Sequence, residues 1–140
     1  RNIFKYLKEK KITTIIATHD STDVLSFSDE VLVMKNGKII ETGKPKNLYK
    51  NPNSKYVASL FGDVNTINSS YFNSNTNEEL LLYAHQFKVV LHSKLKVKVK
   101  MSYFRGNAYL NEAIYEKDKI LFFESKEDLT NQEVFLEIDK

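Results

Sequence analysis

The chain has 140 residues, 41% of them hydrophobic, and a formal net charge of +3. That is length enough for one ordinary domain or two small ones with a real core, and the composition excludes a wholly disordered chain. With no cysteine, a disulfide framework, a thiolate zinc site and a cysteine nucleophile are all excluded. The lysines are spread along the sequence, a charge too mild and dispersed to point to nucleic acid. No apolar run approaches the roughly 20 residues of a membrane span, and no stretch carries a signal-peptide pattern.

In chain order, Ile3, Phe4 and Leu7 recur at helical spacing, followed by Lys8, Lys10 and Lys11, where cations suit a helix C-terminus. Residues 13–17, TTIIA, form a short β-branched run. Such a run predicts a strand buried on both faces, as in parallel sheets. Asp20 or Ser21 can cap a short helix carrying Val24, Leu25 and Phe27. Residues 31–35 and 38–41 flank Asn36-Gly37, the dipeptide that supplies both positive φ angles of a two-residue hairpin turn. Pro45 then opens a helix through Tyr49, and Pro52 ends it. Residues 54–61 start another, with Val57, Leu60 and Phe61 on one side.

From Gly62 the composition shifts to Asn, Ser and Thr, which predicts a boundary with loose or edge structure. Strands follow over residues 80–84 and 87–91. Residues 94–101, KLKVKVKM, alternate strictly. Leu95, Val97, Val99 and Met101 take one face and four lysines the other, the pattern of a half-buried strand. Residues 109–115, 119–124 and 133–138 complete a set of short strands at barrel-like spacing. Residues 1–62 therefore read as mixed α and β, and residues 63–140 as nearly all β.

His19 follows the apolar run directly. The C-terminal edge of a strand is where open α/β sheets place ligand sites, and neutral imidazole there can donate to a phosphate oxygen or hold a water. Taken alone, the residue is better read as a surface histidine at a strand end. The ordered combination around it is more specific. TIIATHD, a short amphipathic helix, then SDEVLVMKNGKIIETGKPKNLYKNPNSKYVASLFG resembles the end of the ATP-binding subunit of an ABC transporter. The likeness runs from about Arg1 to Ile67.

The remainder resembles, less tightly, the small OB-like TOBE domain that follows in importer ATPases of the maltose, spermidine and iron type. Gly106 after Arg105 takes the place of a turn glycine. Tyr83, Ala84 and His85 stand where that family often carries Arg-Pro-Glu, so a ligand role tied to that strand is not carried over.

The resemblance implies a fold: an α/β segment, the end of a P-loop-type nucleotide-binding domain over residues 1–62, then an all-β OB-like barrel over residues 63–140. It implies a function too, the ATP-hydrolysing subunit of an importer that drives transmembrane transport. His19 would be the switch histidine on the ATP γ-phosphate, with ATP and Mg as cofactors of the parent protein. The implied partners are a second copy of the subunit and transmembrane permease subunits, with no nucleic acid. The implied location is cytoplasmic, peripheral at the inner face of the membrane.

The family also needs a G-x-x-x-x-G-K-[ST] loop, an apolar strand ending in Asp-Glu and an LSGGQ-type signature. None of the four glycines, Gly37, Gly43, Gly62 and Gly106, builds such a loop. Phe27 and Ser28 before Asp29-Glu30 are not the required strand. All three motifs precede the switch histidine in the family. The chain is therefore expected to be a C-terminal part of the subunit, inactive by itself, with residues 13–17 exposed, rearranged or paired with another chain for want of their sheet. The alternative is a self-standing OB-like regulatory, ligand-sensing or dimerisation module.

Other candidates have plainer readings. Asp20 serves best as a helix cap. His85 and His92 have no neighbouring carboxylate or cysteine to complete a metal site, and no metal ligand is assigned. The lysine face of residues 94–100 reads as a solvated strand face. Tyr103, Phe104 and Tyr109 resemble an RNA-binding barrel only faintly. Ser21, His19 and Asp20 are neighbours in sequence and do not converge as a triad.

Overall fold

The computed structural model describes residues 2–139, and the chain divides between Phe61 and Gly62 into two compact units. The first opens with α1 (Asn2–Glu9). Phe4 turns from it onto Phe27, ring centroids 5.1 Å apart, and Lys8 pairs with Asp29 at 2.9 Å. Lys11, at φ 53°, ends the turn. The strand that residues 13–17 would form within a sheet is absent, and residues 12–20 have no regular structure and are exposed, as expected of that run without its sheet. An apolar run of this kind takes strand geometry only when neighbours pair its backbone and cover both faces, and the unit supplies none.

Helix α2 (Ser21–Phe27) begins where Asp20 accepts from Thr22 N and Asp23 N. Strands β1 (Val31–Lys35) and β2 (Lys38–Gly43) form an antiparallel hairpin. Its turn residues Asn36 and Gly37 have φ of 50° and 76°, the pair of positive angles that matches the twist of the flanking strands. A bulge shifts the register between Val33 and Met34. Helix α3 (Pro45–Lys50) has proline in its first turn, and α4 (Lys55–Ser59) is capped by Ser54 Oγ. Val33, Leu48 and Val57 make this unit's small core, with Val31, Tyr56 and Phe61 packed against it.

The second unit begins with β3 (Val64–Asn68), where looser structure was expected, paired antiparallel with β4 (Glu79–Tyr83). Five further strands, β5 (Phe87–Val90), β6 (Leu95–Phe104), β7 (Tyr109–Tyr115), β8 (Lys119–Ser125) and β9 (Glu133–Ile138), form one antiparallel sheet in the order β5-β9-β6-β7-β8. The two edge strands, β5 and β8, also touch, so the sheet curls toward a barrel. Leu95, Val97, Val99, Ala113, Leu121, Phe123 and Leu136 fill its interior, with Ile67, Leu82 and Phe87 added from the first strands of the unit. Burying a leucine or phenylalanine of this kind contributes about 1.5–3 kcal/mol.

The alternation of β6 holds through Val99 and then breaks. A register shift between Val99 and Met101 leaves Met101 46% exposed, whereas strict alternation placed it inside. A bulge adds one residue to one strand and reverses the faces beyond it. The turn at Gly106, with φ 95°, closes the β6–β7 hairpin. The chain as a whole is an α/β segment followed by a barrel-like β unit.

Candidate functional site

His19 lies at the end of the irregular segment, immediately before the residue that caps α2, and its side chain is exposed. The local chain is held by short-range bonds. Asp20 N donates to Thr18 Oγ1 at 3.0 Å. Asp20 Oδ1 accepts from Thr22 N at 2.8 Å and Asp23 N at 3.3 Å. The carboxylate of Asp20 is therefore occupied as a helix cap, which fixes the backbone on either side of His19 while leaving the imidazole facing solvent. Ser21, His19 and Asp20 do not converge into a catalytic group.

The first unit exposes apolar side chains in this segment and on its hairpin. Ile15 is 93% exposed, and Ile12 and Ile16 about half exposed. On the hairpin, Leu32, Met34 and Ile39 are also more than half exposed. Val33, between the first two, is buried.

The other histidines take structural roles. His85 stacks on the buried Tyr83, centroids 5.7 Å apart and planes 7° from parallel. His92 lies against Phe135 at 5.0 Å. Among the described residues no group of three His, Cys, Asp or Glu side chains could hold a metal ion. Nor is any helix long and apolar enough to cross a membrane.

The lysine face of β6 is tied down locally. Lys96 pairs with Glu133 at 3.0 Å, and Lys98 Nζ donates to Asn131 O at 2.7 Å. The Lys96 hydrogen bond, then its charge, holds the Glu133 carboxyl below its ordinary value.

The second unit has an open groove of about 580 Å³ lined by Thr66, Asn68, Tyr71, Glu79, Glu116 and Lys119 among others. Both oxygens of Glu116 are engaged there. Tyr71 Oη donates to Oε1, and Lys119 sits 2.8 Å from Oε2. That hydrogen bond raises the Lys119 ammonium above its usual range.

Two buried asparagines escaped the sequence reading. Asn111, fully buried, donates from Nδ2 to Phe123 O and Ser125 Oγ at 3.2 and 2.8 Å and accepts from Ser102 Oγ at 2.5 Å. Asn65, 5% exposed, joins the β3–β4 pair to β8. The only signal for either was an asparagine inside a strand pattern, where that residue is depleted.

No family model matches the chain. It is 39% identical over 82 residues to the spermidine/putrescine import ATP-binding protein PotA of Hahella chejuensis, a match covering 59% of this chain and 22% of that protein. It is 41% identical over 66 residues to the Fe(3+) ions import ATP-binding protein FbpC of Photobacterium profundum, 47% of this chain and 19% of that one. Over nearly its full length, 94%, it is 29% identical to the PotA of Malacoplasma penetrans, covering 26% of it. The chain thus spans about a fifth to a quarter of the relatives it matches. Those relatives are ABC importer ATP-binding subunits, and the match lies over their C-terminal part.

Proposed function

We propose that this chain, homologous to the C-terminal part of importer ATP-binding subunits, is the corresponding part of an ABC-type importer ATPase. Residues 1–62 are the end of its nucleotide-binding domain and residues 63–140 its OB-like TOBE domain. In that reading the subunit pairs with a second copy of itself, couples ATP hydrolysis to transport through transmembrane permease subunits, and works at the inner face of the membrane. The observation that carries the reading is an exposed apolar strand sequence ending in an exposed histidine. Ile15 and Ile16, in the run that reads as a buried strand, lie open to solvent, and His19 stands just past its end.

His19 is the residue we assign to the γ-phosphate. An imidazole N–H at a strand's end can donate to a phosphoryl oxygen, and a preorganised donor of this kind stabilises charge that develops in the transition state. Asp20 positions it through the helix cap rather than acting on the reactants. The chain's fit to ATP is confined to this one contact, since no glycine-rich cradle is present. Magnesium finds no ligand set among the described residues, so no step is assigned to it here. The chain alone is accordingly inactive as an ATPase.

The test is His19→Ala in the longer protein encoded with this chain. Loss of one preorganised donor lowers turnover by about 10²–10³. In the 140-residue chain, where the position is exposed, the same substitution changes stability by no more than about 0.5 kcal/mol. Normal turnover in a folded His19→Ala protein overturns the assignment.

A further inference from the structure

Strand β8 forms one edge of the five-stranded sheet. Its central residue, Phe122, turns its N–H and C=O away from β7, and both meet a side chain rather than a strand. Phe122 N donates to Asn65 Oδ1 at 2.7 Å, and Asn65 Nδ2 donates to Phe122 O at 2.7 Å. The other Nδ2 hydrogen reaches Leu82 O on β4 at 3.2 Å. A primary amide carries the same donor and acceptor as a peptide group. Here one amide makes the two bonds a neighbouring strand residue would make, and anchors itself to a second sheet with the third.

We propose that Asn65 is a surrogate strand residue. It closes the edge of β8, pins the β3–β4 hairpin in register against it, and keeps that edge from accepting a strand of a second copy of this chain. Unpaired edges are templates for strand addition, and β8 carries Ile120, 58% exposed, beside the capped position. The register is specific. Asn65, Ile67 and Ser69 face inward on this segment while Thr66 and Asn68 are only partly covered. A one-residue slip puts every side chain on the wrong face. A two-residue slip offers Phe122 either Asp63 or Ile67, neither of which supplies a donor and an acceptor together. Aspartate has the right shape but lacks the donor; isoleucine has neither group.

The test is amide hydrogen exchange in the full 140-residue chain carrying Asn65→Asp or Asn65→Leu, with sedimentation velocity alongside. Leu121 and Phe123 pair with Ala113 and Asn111 of β7 and serve as internal references. The expected result is exchange at Phe122 faster by about tenfold or more, unchanged protection at Leu121 and Phe123, and concentration-dependent self-association absent from the wild type. Phe122 protection that stays level with its neighbours overturns the proposal. So does a common rise at all three amides in both variants, which would make Asn65 a packing residue. Selective loosening at Phe122 without self-association at any concentration overturns the edge-guarding role.

Discussion

Replacing Asn111 by alanine tests whether the bulge in β6 is held by a satisfied polar network. The asparagine is fully buried and makes three hydrogen bonds, to Phe123 O, Ser125 Oγ and Ser102 Oγ. After truncation, Ser102 Oγ still accepts from Leu129 N at 3.0 Å, and Ser125 Oγ still donates to Glu127 O at 2.7 Å. The Phe123 carbonyl has no such second contact from these hydroxyls. Three bonds at about 0.5–1.5 kcal/mol each bound the loss between about 1.5 and 4.5 kcal/mol. The two retained hydroxyl bonds argue against the top of that range and the cavity against the bottom, so about 3 kcal/mol is expected. Urea unfolding of the full chain, followed at the core amides of Val99 and Leu121, reads the second unit alone. Ser102→Ala in the same background loses less than it does in the wild type, because the two residues share a bond. A loss below about 1 kcal/mol for Asn111→Ala, with additive behaviour in the double variant, would refute the network as the stabilising element.

Two further outcomes follow from charges. Glu133 is held below its ordinary carboxyl value by the Lys96 hydrogen bond first and by its charge second. Its contribution is therefore present above the unfolded value and lost as pH falls through the lower folded one; Lys96→Met raises the Glu133 midpoint in a carboxyl NMR titration and removes that acid-side dependence, and an unmoved midpoint contradicts the pairing. Glu41 Oε2 is a buried oxygen without a hydrogen-bond partner. Glu41→Met is expected to be neutral or stabilising by up to about 2 kcal/mol, measured at the Val33 and Val57 amides in urea; a loss above about 1 kcal/mol means the oxygen is satisfied.

Local chemistry made much of this molecule legible in the sequence. Asn36-Gly37 dictates its turn because both residues adopt positive φ, a demand satisfied within two residues. Asp20, Pro45 and Ser54 announced helix starts for the same reason: each acts on backbone groups two or three positions away. The strands from β4 to β9 were readable from short apolar runs, strictly alternating in β6, with ends within a few residues. What failed depended on distant partners. Residues 13–17 have strand composition and no strand, because pairing is supplied by other chain segments or not at all. β3 looked loose, since Asn and Thr dominate it, yet the partner β4 and the amide of Asn65 give it a sheet. The bulge after Val99 is invisible in KLKVKVKM, where only the opposing register of β7 reveals the extra residue. His19 itself was located by its neighbours in order, not by any clustering the fold produces.

The two units differ in how they dispose of apolar surface, and that difference bears on function. Seventeen large apolar side chains are exposed among the described residues, and eleven of them, from Ile3 to Leu60, lie before Gly62. Besides Pro45, that segment buries only Val33, Leu48, Val57 and Ala58. The second unit buries fifteen hydrophobic residues in a similar length. Each exposed isoleucine or leucine forgoes about 1.5–3 kcal/mol of burial, so a cover over Ile15, Leu32, Met34 and Ile39 would stabilise the first unit by several such increments. Eleven such exposures in about sixty residues exceed the single ones that need no explanation. A nucleotide-binding domain needs a rigid strand end to aim a histidine, because a donor misplaced by about 1 Å loses about 10²-fold in rate. The irregular backbone at His19 cannot hold that aim on its own. Under the proposed γ-phosphate role of His19, covering the apolar run of residues 13–17 with sheet neighbours would order the segment and orient the imidazole in the same event, coupling folding of the first unit to assembly of that contact.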